Sequence, residues 1–405
     1  MSDVRQETLP PAASLVGDGA VTRWLRRLVV VGVVWLILGM AVMPAGVSFN
    51  PGKLYQRVLG LTLYLPALLL LVMRPSRALD FWRRPLVPWV LLLMGWSVLT
   101  LLWGHAVRPL DEAGHSVSIV LFLFGWQQVF SRDEALIRRL LVGCGLVMAV
   151  VAVAAIAMSL MYPQPDARLA GFGVMANANL AAGAMGAALL WLWPWRFGNT
   201  RGCIAKWAAI SILGFFVVMT LTRSALAALF VALVLMVLSR GGRRAWLYAG
   251  MVVVIGIASA VAGAQFLMAR GLSLRPEIFT QAMHLFLTHP WLGLGEGTPF
   301  QLKAGGEVMT HAHNMYSQLA IELGLPGLVL WAGIWLALGW LGWRCRREPL
   351  GAIVLGLWTF GTVLVQFDLP HLIDSPRPAW LITWLPLALG MSLAYRPGRG
   401  GANAA

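Results

Sequence analysis

Thr310-His311-Ala312-His313-Asn314, followed at helical spacing by Gln318 and Glu322, places two imidazoles and an amide at the end of the one long polar connection in an apolar chain. A helix is expected to begin near Thr310, an acceptable N-cap. His313 would then sit in its first turn, where the helix dipole disfavours an imidazolium. A neutral imidazole can take the proton of a hydroxyl group, so His313 is a candidate general base. The same position also suits an interfacial histidine that only hydrogen-bonds. His311, two residues earlier, is expected to point elsewhere on the helix and to serve structure more than chemistry. Asn314, Gln318 and Glu322 are four apart and should form one polar face, until Gly324 and Pro326 break the helix.

Arginine supplies the complementary chemistry. Arg223 lies in the very tight connection Thr220-Leu221-Thr222-Arg223-Ser224-Ala225, between two apolar runs. A guanidinium there sits at or below headgroup level, where charge is costly, and its fork suits phosphate oxygens. Snorkelling to lipid phosphate is the competing reading. Arg275, Arg270 and Arg168 are further cations on the same side, with Arg275 best placed because it opens a helix. Arg168 precedes Asn177-Ala178-Asn179; these two amides suit sugar hydroxyls and helix capping equally. No compact Asp-x-Asp and no His-Glu-x-x-His occur, so no metal site is indicated. No Gly-x-Ser-x-Gly elbow occurs either. A departing phosphate would have to be neutralised by arginine.

The elements that must position these residues are helices in lipid. The 405 residues are 59% hydrophobic and 12% charged, about half the charge usual for a soluble domain. Apolar runs of the length that crosses a bilayer as helix recur at 28–48, 56–73, 86–104, 114–130, 140–161, 178–195, 205–221, 224–239, 245–266, 325–343, 350–367 and 378–395. They are continuous rather than alternating, which excludes a barrel. The first is too long and too far in to be a cleaved signal peptide. Numbering the loops with the N-terminus inside puts 22 of the 31 Lys and Arg residues on the inside and nine outside, as the positive-inside rule requires. The net charge of +15 is then mostly topological, and nucleic acid is not an expected partner. Cys144 falls in a span, and Cys203 and Cys345 fall in inside loops, so no structural disulfide is expected.

The expected organisation is a tail over 1–27, spans one to nine over 28–266, a long outside loop over 267–324, spans ten to twelve over 325–395, and a tail over 396–405. Within the loop, Arg275-Pro276-Glu277 should open a helix with Ile278, Ala282, Leu285 and Phe286 on one face, lying along the membrane surface. His289-Pro290 should end it. Gly293-Leu294-Gly295-Glu296-Gly297 reads as a turn more readily than as a phosphate loop, because it lacks the preceding strand and the Lys. No internal repeat suggests an inverted-repeat transporter, and ionisable groups cluster at span ends rather than at mid-span.

The run from His313 through Gln318 to Glu322-Leu323-Gly324-Leu325-Pro326-Gly327 resembles the signature of the bacterial O-antigen ligase and polymerase superfamily. So does His289-Pro290-Trp291-Leu292-Gly293-Leu294-Gly295. Thr222-Arg223-Ser224-Ala225 is similar to the family's Ser-Arg-Gly/Ala turn with Thr for Ser, and Asn177-Ala178-Asn179 to its Asn-Pro-Asn with Ala for Pro. The resemblance implies an all-α polytopic membrane protein of about twelve spans, similar to C-type glycosyltransferases, in the bacterial inner membrane. Both termini would be cytoplasmic and the catalytic loop, with its short helices, periplasmic. It implies transfer of glycan from undecaprenyl diphosphate to a sugar hydroxyl of lipid A–core, without metal or cofactor and with inversion. His313 would be the essential base, and Arg223 and Arg275 the phosphate-binding arginines. Arg168, Asn179, Asn314 and His311 are expected beside them as further substrate-binding residues. O-antigen polymerase and protein O-oligosaccharyltransferase are the enzyme alternatives, and a lipid-linked glycan transporter is the alternative from another class. Which outside acid, Glu296 or Asp368, assists His313 is left open.

Overall fold

In a computed structural model, residues 19–42, 53–162, 168–262, 274–367 and 371–394 are described, and they are mostly helical. The helices are α1 (Ala20–Val42), α2 (Lys53–Leu59), α3 (Leu65–Met73), α4 (Pro75–Trp82), α5 (Val87–Thr100), α6 (Pro109–Val129), α7 (Glu134–Met161), α8 (Ala178–Leu192), α9 (Thr200–Met219), α10 (Arg223–Leu238), α11 (Arg243–Ala262), α12 (Arg275–Thr288), α13 (Met315–Arg344), α14 (Pro349–Leu364) and α15 (Trp384–Ala394). A π-turn over Gly60–Tyr64 joins α2 to α3 into one continuous rod. Among the described residues, each apolar run of the sequence overlaps one or more of these helices.

Five helical segments are long and apolar enough to cross a bilayer: Ala20–Ala41, Leu54–Met73, Glu134–Met161, Thr200–Met219 and Met315–Arg344. Others, including Val87–Thr100, Ala178–Leu192, Arg223–Leu238 and Pro349–Leu364, are apolar but shorter than the ~20 residues a span needs. Five, rather than about twelve, therefore meet the length criterion among the described residues. Two of the short helices, α8 and α10, start where polar residues gather (Asn179, Arg223), and that polar entry limits their apolar length. Helix α1 begins before the expected boundary, so Arg23, Arg26 and Arg27 are helical rather than part of a tail.

Helix α8 is the axis of the bundle. It is apolar all round and almost wholly buried, as such helices must be. Its Ala and Gly residues between Ala181 and Ala188, interrupted only by Met185, let α7, α9, α10 and α14 pack close.

The long loop forms a small subdomain of its own. The α12 helix starts where expected, with Pro276 and Glu277 in its first turn and His289 at its C-cap. A two-stranded antiparallel hairpin, β1 (Leu302–Ala304) and β2 (Glu307–Met309), went unread in the sequence. Its Gly305-Gly306 turn has positive φ at both positions, as two-residue hairpin loops require. The apolar face of α12 packs Ile278 and Ala282, flanked by Leu285 and Phe286, against Phe300, Leu302, Ala304, Ala312 and Ile321. That face is covered by protein, not laid on a lipid surface, because the hairpin gives it an apolar partner.

Candidate functional site

Helix α13 does not begin at Thr310. Asn314, with extended backbone, is the N-cap, and its Oδ1 accepts from the backbone N–H groups of Tyr316 and Ser317. His311 and His313 therefore precede the helix, and His313 takes a left-handed φ of 50°. Helical spacing does not govern the two side chains. Their rings meet, with centroids 4.0 Å apart. Asn314 is thus occupied as a cap, and neither it nor His311 lines the cavity that His313 enters.

The first nine residues of α13 form a short helix that ends at Gly324, whose φ of 66° and ψ of −167° interrupt the helical path before Pro326. Three carbonyls at the break find partners in other segments. Ile321 and Glu322 accept from the N–H groups of Leu294 and Gly295, Leu323 accepts from the Trp96 indole, and the N–H of Leu325 donates to Pro290. The glycine-rich loop is therefore the clamp on the helix break. A side chain at Gly293 or Gly324 would run into the backbone of the other segment. Along the polar face, Gln318 Oε1 accepts from the N–H of Ala312, and Gln318 Nε2 donates to Glu322 Oε1 at 2.8 Å. Gln318 is 2% exposed and fixes the backbone between the two histidines.

His313 opens into a cavity of about 280 Å³ lined also by Arg168, Asn179, Thr222, Arg223, Ser224, Arg275 and Ile278. Four chain segments far apart in sequence meet there. Arg223 is the first residue of α10, reached through a tight turn in which Leu221 takes φ 50°. Arg275 is the first residue of α12, its guanidinium 5.9 Å from the centre of the Phe367 ring. Asn177 caps α8 by accepting from the N–H groups of Asn179 and Leu180. Asn179 instead accepts from Arg168 Nη2 at 2.6 Å, so the two amides divide the roles of cap and site. Arg168 also donates to Thr222 Oγ1 at 3.0 Å and to the Thr220 carbonyl at 3.0 Å. This brace ties the start of α8 to the α9–α10 turn that carries Arg223. Arg270 and Asp368 lie outside the described residues.

The electrostatics of this cavity are one-sided. The N-termini of α8, α10 and α12 contribute first-turn residues to its wall, and α13 starts two residues after His313. Each helix N-terminus carries roughly half a positive charge. Arginines at the first position of two of them break the rule that favours acids there. Three guanidiniums and three helix N-termini at one cavity make a strong site for an anion bearing several negative oxygens.

A second cavity of about 250 Å³ is lined by Thr310, Gln318, Glu322, Glu296, His371 and Asp374 among others. Glu296 belongs here, not with His313. It is 4% exposed and accepts from Ser97 Oγ at 3.1 Å. Burial, reinforced by the nearby Glu322 and Glu112 carboxyls, pushes its pKa well above the usual carboxylate range. His371 was not legible as a neighbour of this site; it follows α14 and brings its ring within 6.3 Å of that of His311. Burial, then the neighbouring His313 and His371, push His311 down to about 4, so His311 is neutral at physiological pH. Among the described residues no group of three or more His, Cys, Asp or Glu is arranged to hold a metal ion.

These helices and this polar cavity at one end of the bundle define a multi-pass helical membrane protein. Residues 208–332 match the family described as O-antigen ligase, and that span contains Arg223, Arg275, His311 and His313. The chain is also 26% identical over 347 residues to the O-antigen ligase of Pseudomonas aeruginosa (strain PAO1), covering 83% of this chain and 84% of that protein. The chain therefore carries an O-antigen ligase family domain, as its motifs imply.

Proposed function

We propose that this protein is an O-antigen ligase of the bacterial inner membrane. It transfers glycan from undecaprenyl diphosphate to a sugar hydroxyl of lipid A–core at the periplasmic face. The observation that supports this most is the convergence of Arg168, Arg223, Arg275 and His313 on one cavity at the positive ends of helices. A glycosyl diphosphate is the kind of anion such a cavity favours, and the imidazole stands beside it.

In the proposed reaction the acceptor hydroxyl oxygen attacks the anomeric carbon from the face opposite the diphosphate. The bond from that carbon to the diphosphate oxygen breaks, and the configuration inverts. The hydroxyl proton passes to His313, which later gives it up to water. The leaving diphosphate is already a weak base, so no strong acid is required. Arg223 and Arg275 stabilise the charge that develops on it, and metal need not take part. Arg168, held by Asn179, Thr222 and Thr220, keeps the Arg223 turn in register with α8.

Deleting the gene and displaying lipopolysaccharide on a gel tests this reading. Loss of a ligase leaves bare core and polymer stranded on the polyprenyl carrier. Core bearing a single repeat would instead identify a polymerase, and unchanged lipopolysaccharide would point to protein glycosylation.

A further inference from the structure

The bundle has a second positively charged cavity, at the end opposite His313. It measures about 720 Å³ and is lined by Arg138, Arg196, Arg240, Arg346 and Arg347, against two carboxylates, Glu134 and Glu348. The helices themselves fix the placement. Helix α10 starts at the His313 cavity with Arg223 and ends just before Arg240. Helix α8 starts there with Asn179 in its first turn and ends just before Pro194, which lines the second cavity. Helix α13 runs from beside His313 to just before Arg346. The two cavities therefore cap one set of helices, roughly 24 Å apart along the 16 residues of α10.

Two of the five arginines are fixed in place by the protein. Arg138 Nη2 donates to the Arg196 carbonyl at 2.8 Å, and its guanidinium stands 5.7 Å from the Trp195 ring centre and 5.4 Å from that of Phe197. Arg346 Nε donates to the Ser239 carbonyl at 3.2 Å, Nη1 donates to the Trp343 carbonyl, and the guanidinium stands 4.5 Å from the Trp343 ring centre. The side chains of Arg196, Arg240 and Arg347 have no hydrogen-bond or carboxylate partner among the described residues. Partial burial, then the charge of Arg196, pushes the Arg240 pKa below its usual value, so these like charges oppose one another. Snorkelling alone would spread such side chains apart towards water; here carbonyls and aromatic rings hold two of them on the wall of a shared basin.

We infer that this basin binds a phosphate-bearing ligand, and that its occupant is the headgroup of an anionic phospholipid in the leaflet opposite the His313 cavity. Guanidinium forks match phosphate oxygens, and basic pockets between helix ends suit acidic lipid headgroups. Trp343, 40% exposed beneath the Arg346 guanidinium, is a side chain of the kind that settles at a headgroup boundary. The bound lipid bridges the start of α7 and the ends of α10 and α13, and so braces the bundle. A soluble phosphate would use the same donors, and the test separates the two sources.

The full chain, purified in neutral detergent, is melted with dioleoyl phosphatidylglycerol, dioleoyl phosphatidylcholine or inorganic pyrophosphate. Phosphatidylglycerol is expected to raise the Tm of the wild type and of an Arg139→Gln control, and phosphatidylcholine to leave both unmoved. The variant with Arg196→Gln, Arg240→Gln and Arg347→Gln is expected to need far more lipid, roughly fivefold for each arginine removed. Should that variant not fold, Arg196→Gln and Arg240→Gln are tested singly for the smaller shift. A pyrophosphate response lost in these variants but kept in Arg223→Gln would support the phosphate site and assign it to a soluble ligand. Equal lipid and pyrophosphate responses in wild type and basin variants, or no response to either probe, would overturn the proposal.

Discussion

The rings of His311 and His313 lie with their centroids 4.0 Å apart and their planes at 48°, because both residues precede α13 and His313 turns the chain through a left-handed conformation. Two imidazoles this close do not both ionise easily. His311 is the one held neutral, down to about pH 4, by burial and by its neighbours His313 and His371.

A pH signature follows from that pair. The unfolded chain protonates His311 near its ordinary value of 6.5, while the folded chain resists until about 4. Its contribution to stability is therefore present above about 6.5 and is lost as pH falls through about 4. In spectra of histidine-labelled protein, one ring should titrate near 4 and disappear in His311→Gln. In His313→Ala the same ring should titrate closer to 6.5, since one opposing charge is gone. A His311 ring that titrates at 6.5 in the wild type would contradict the arrangement.

Arg168 acts as a brace whose three bonds define where Arg223 stands. Arg168→Lys keeps the charge but cannot span Asn179, Thr222 and the Thr220 carbonyl together. Transfer is expected to fall by roughly 100-fold or more with the fold intact, the loss expected for about two charge-assisted hydrogen bonds. Asn179→Ala should fall less, because two of the three bonds survive. Equal activity of Arg168→Lys and wild type would show that charge alone matters here.

Gln318 joins the site to the helix interior. Gln318→Leu leaves the N–H of Ala312 without its acceptor and Glu322 without its donor. Leaving such groups unsatisfied costs about 1–3 kcal/mol each, so a clear fall in Tm is expected. Since Ala312 lies between the two histidines, activity should fall further than Tm alone explains. A variant with both unchanged would remove Gln318 from the account.

Gly324→Ala is expected to be among the most damaging substitutions. The backbone there occupies a region open to glycine, and an added Cβ runs into the Trp291 carbonyl. The conformation alone is worth roughly 1–3 kcal/mol, and the collision adds to it. Thermal melting of Gly324→Ala against Gly333→Ala, where a Cβ meets nothing, measures the difference.

The sequence carried the helices well, because apolar runs of bilayer length leave little choice but helix. It also carried the local signals of α12, where Pro276, Glu277 and His289 mark the ends. It misled where two signals competed for one boundary. Thr310 and Asn314 both suit an N-cap, and only the neighbouring chain decides; the N–H of Met315 donates to the Val365 carbonyl, which draws the helix start to Asn314. The hairpin was signalled by Gly305-Gly306 between two short strands, a pattern easily lost in a loop. The approach of Arg168 to Asn179 and Thr222, and of His371 to His311, had no local signal, since both depend on how distant helices pack.

The central claim is that His313 takes the acceptor proton while arginines hold the diphosphate. It is tested most directly by single-turnover transfer with purified protein, lipid-linked donor and lipid A–core acceptor, in the presence of chelator. His313→Ala is predicted to bind donor within about threefold of the wild type but to transfer at least ~100-fold more slowly, the loss expected for a general base. Transfer by His313→Ala at a rate near that of the wild type would contradict the account.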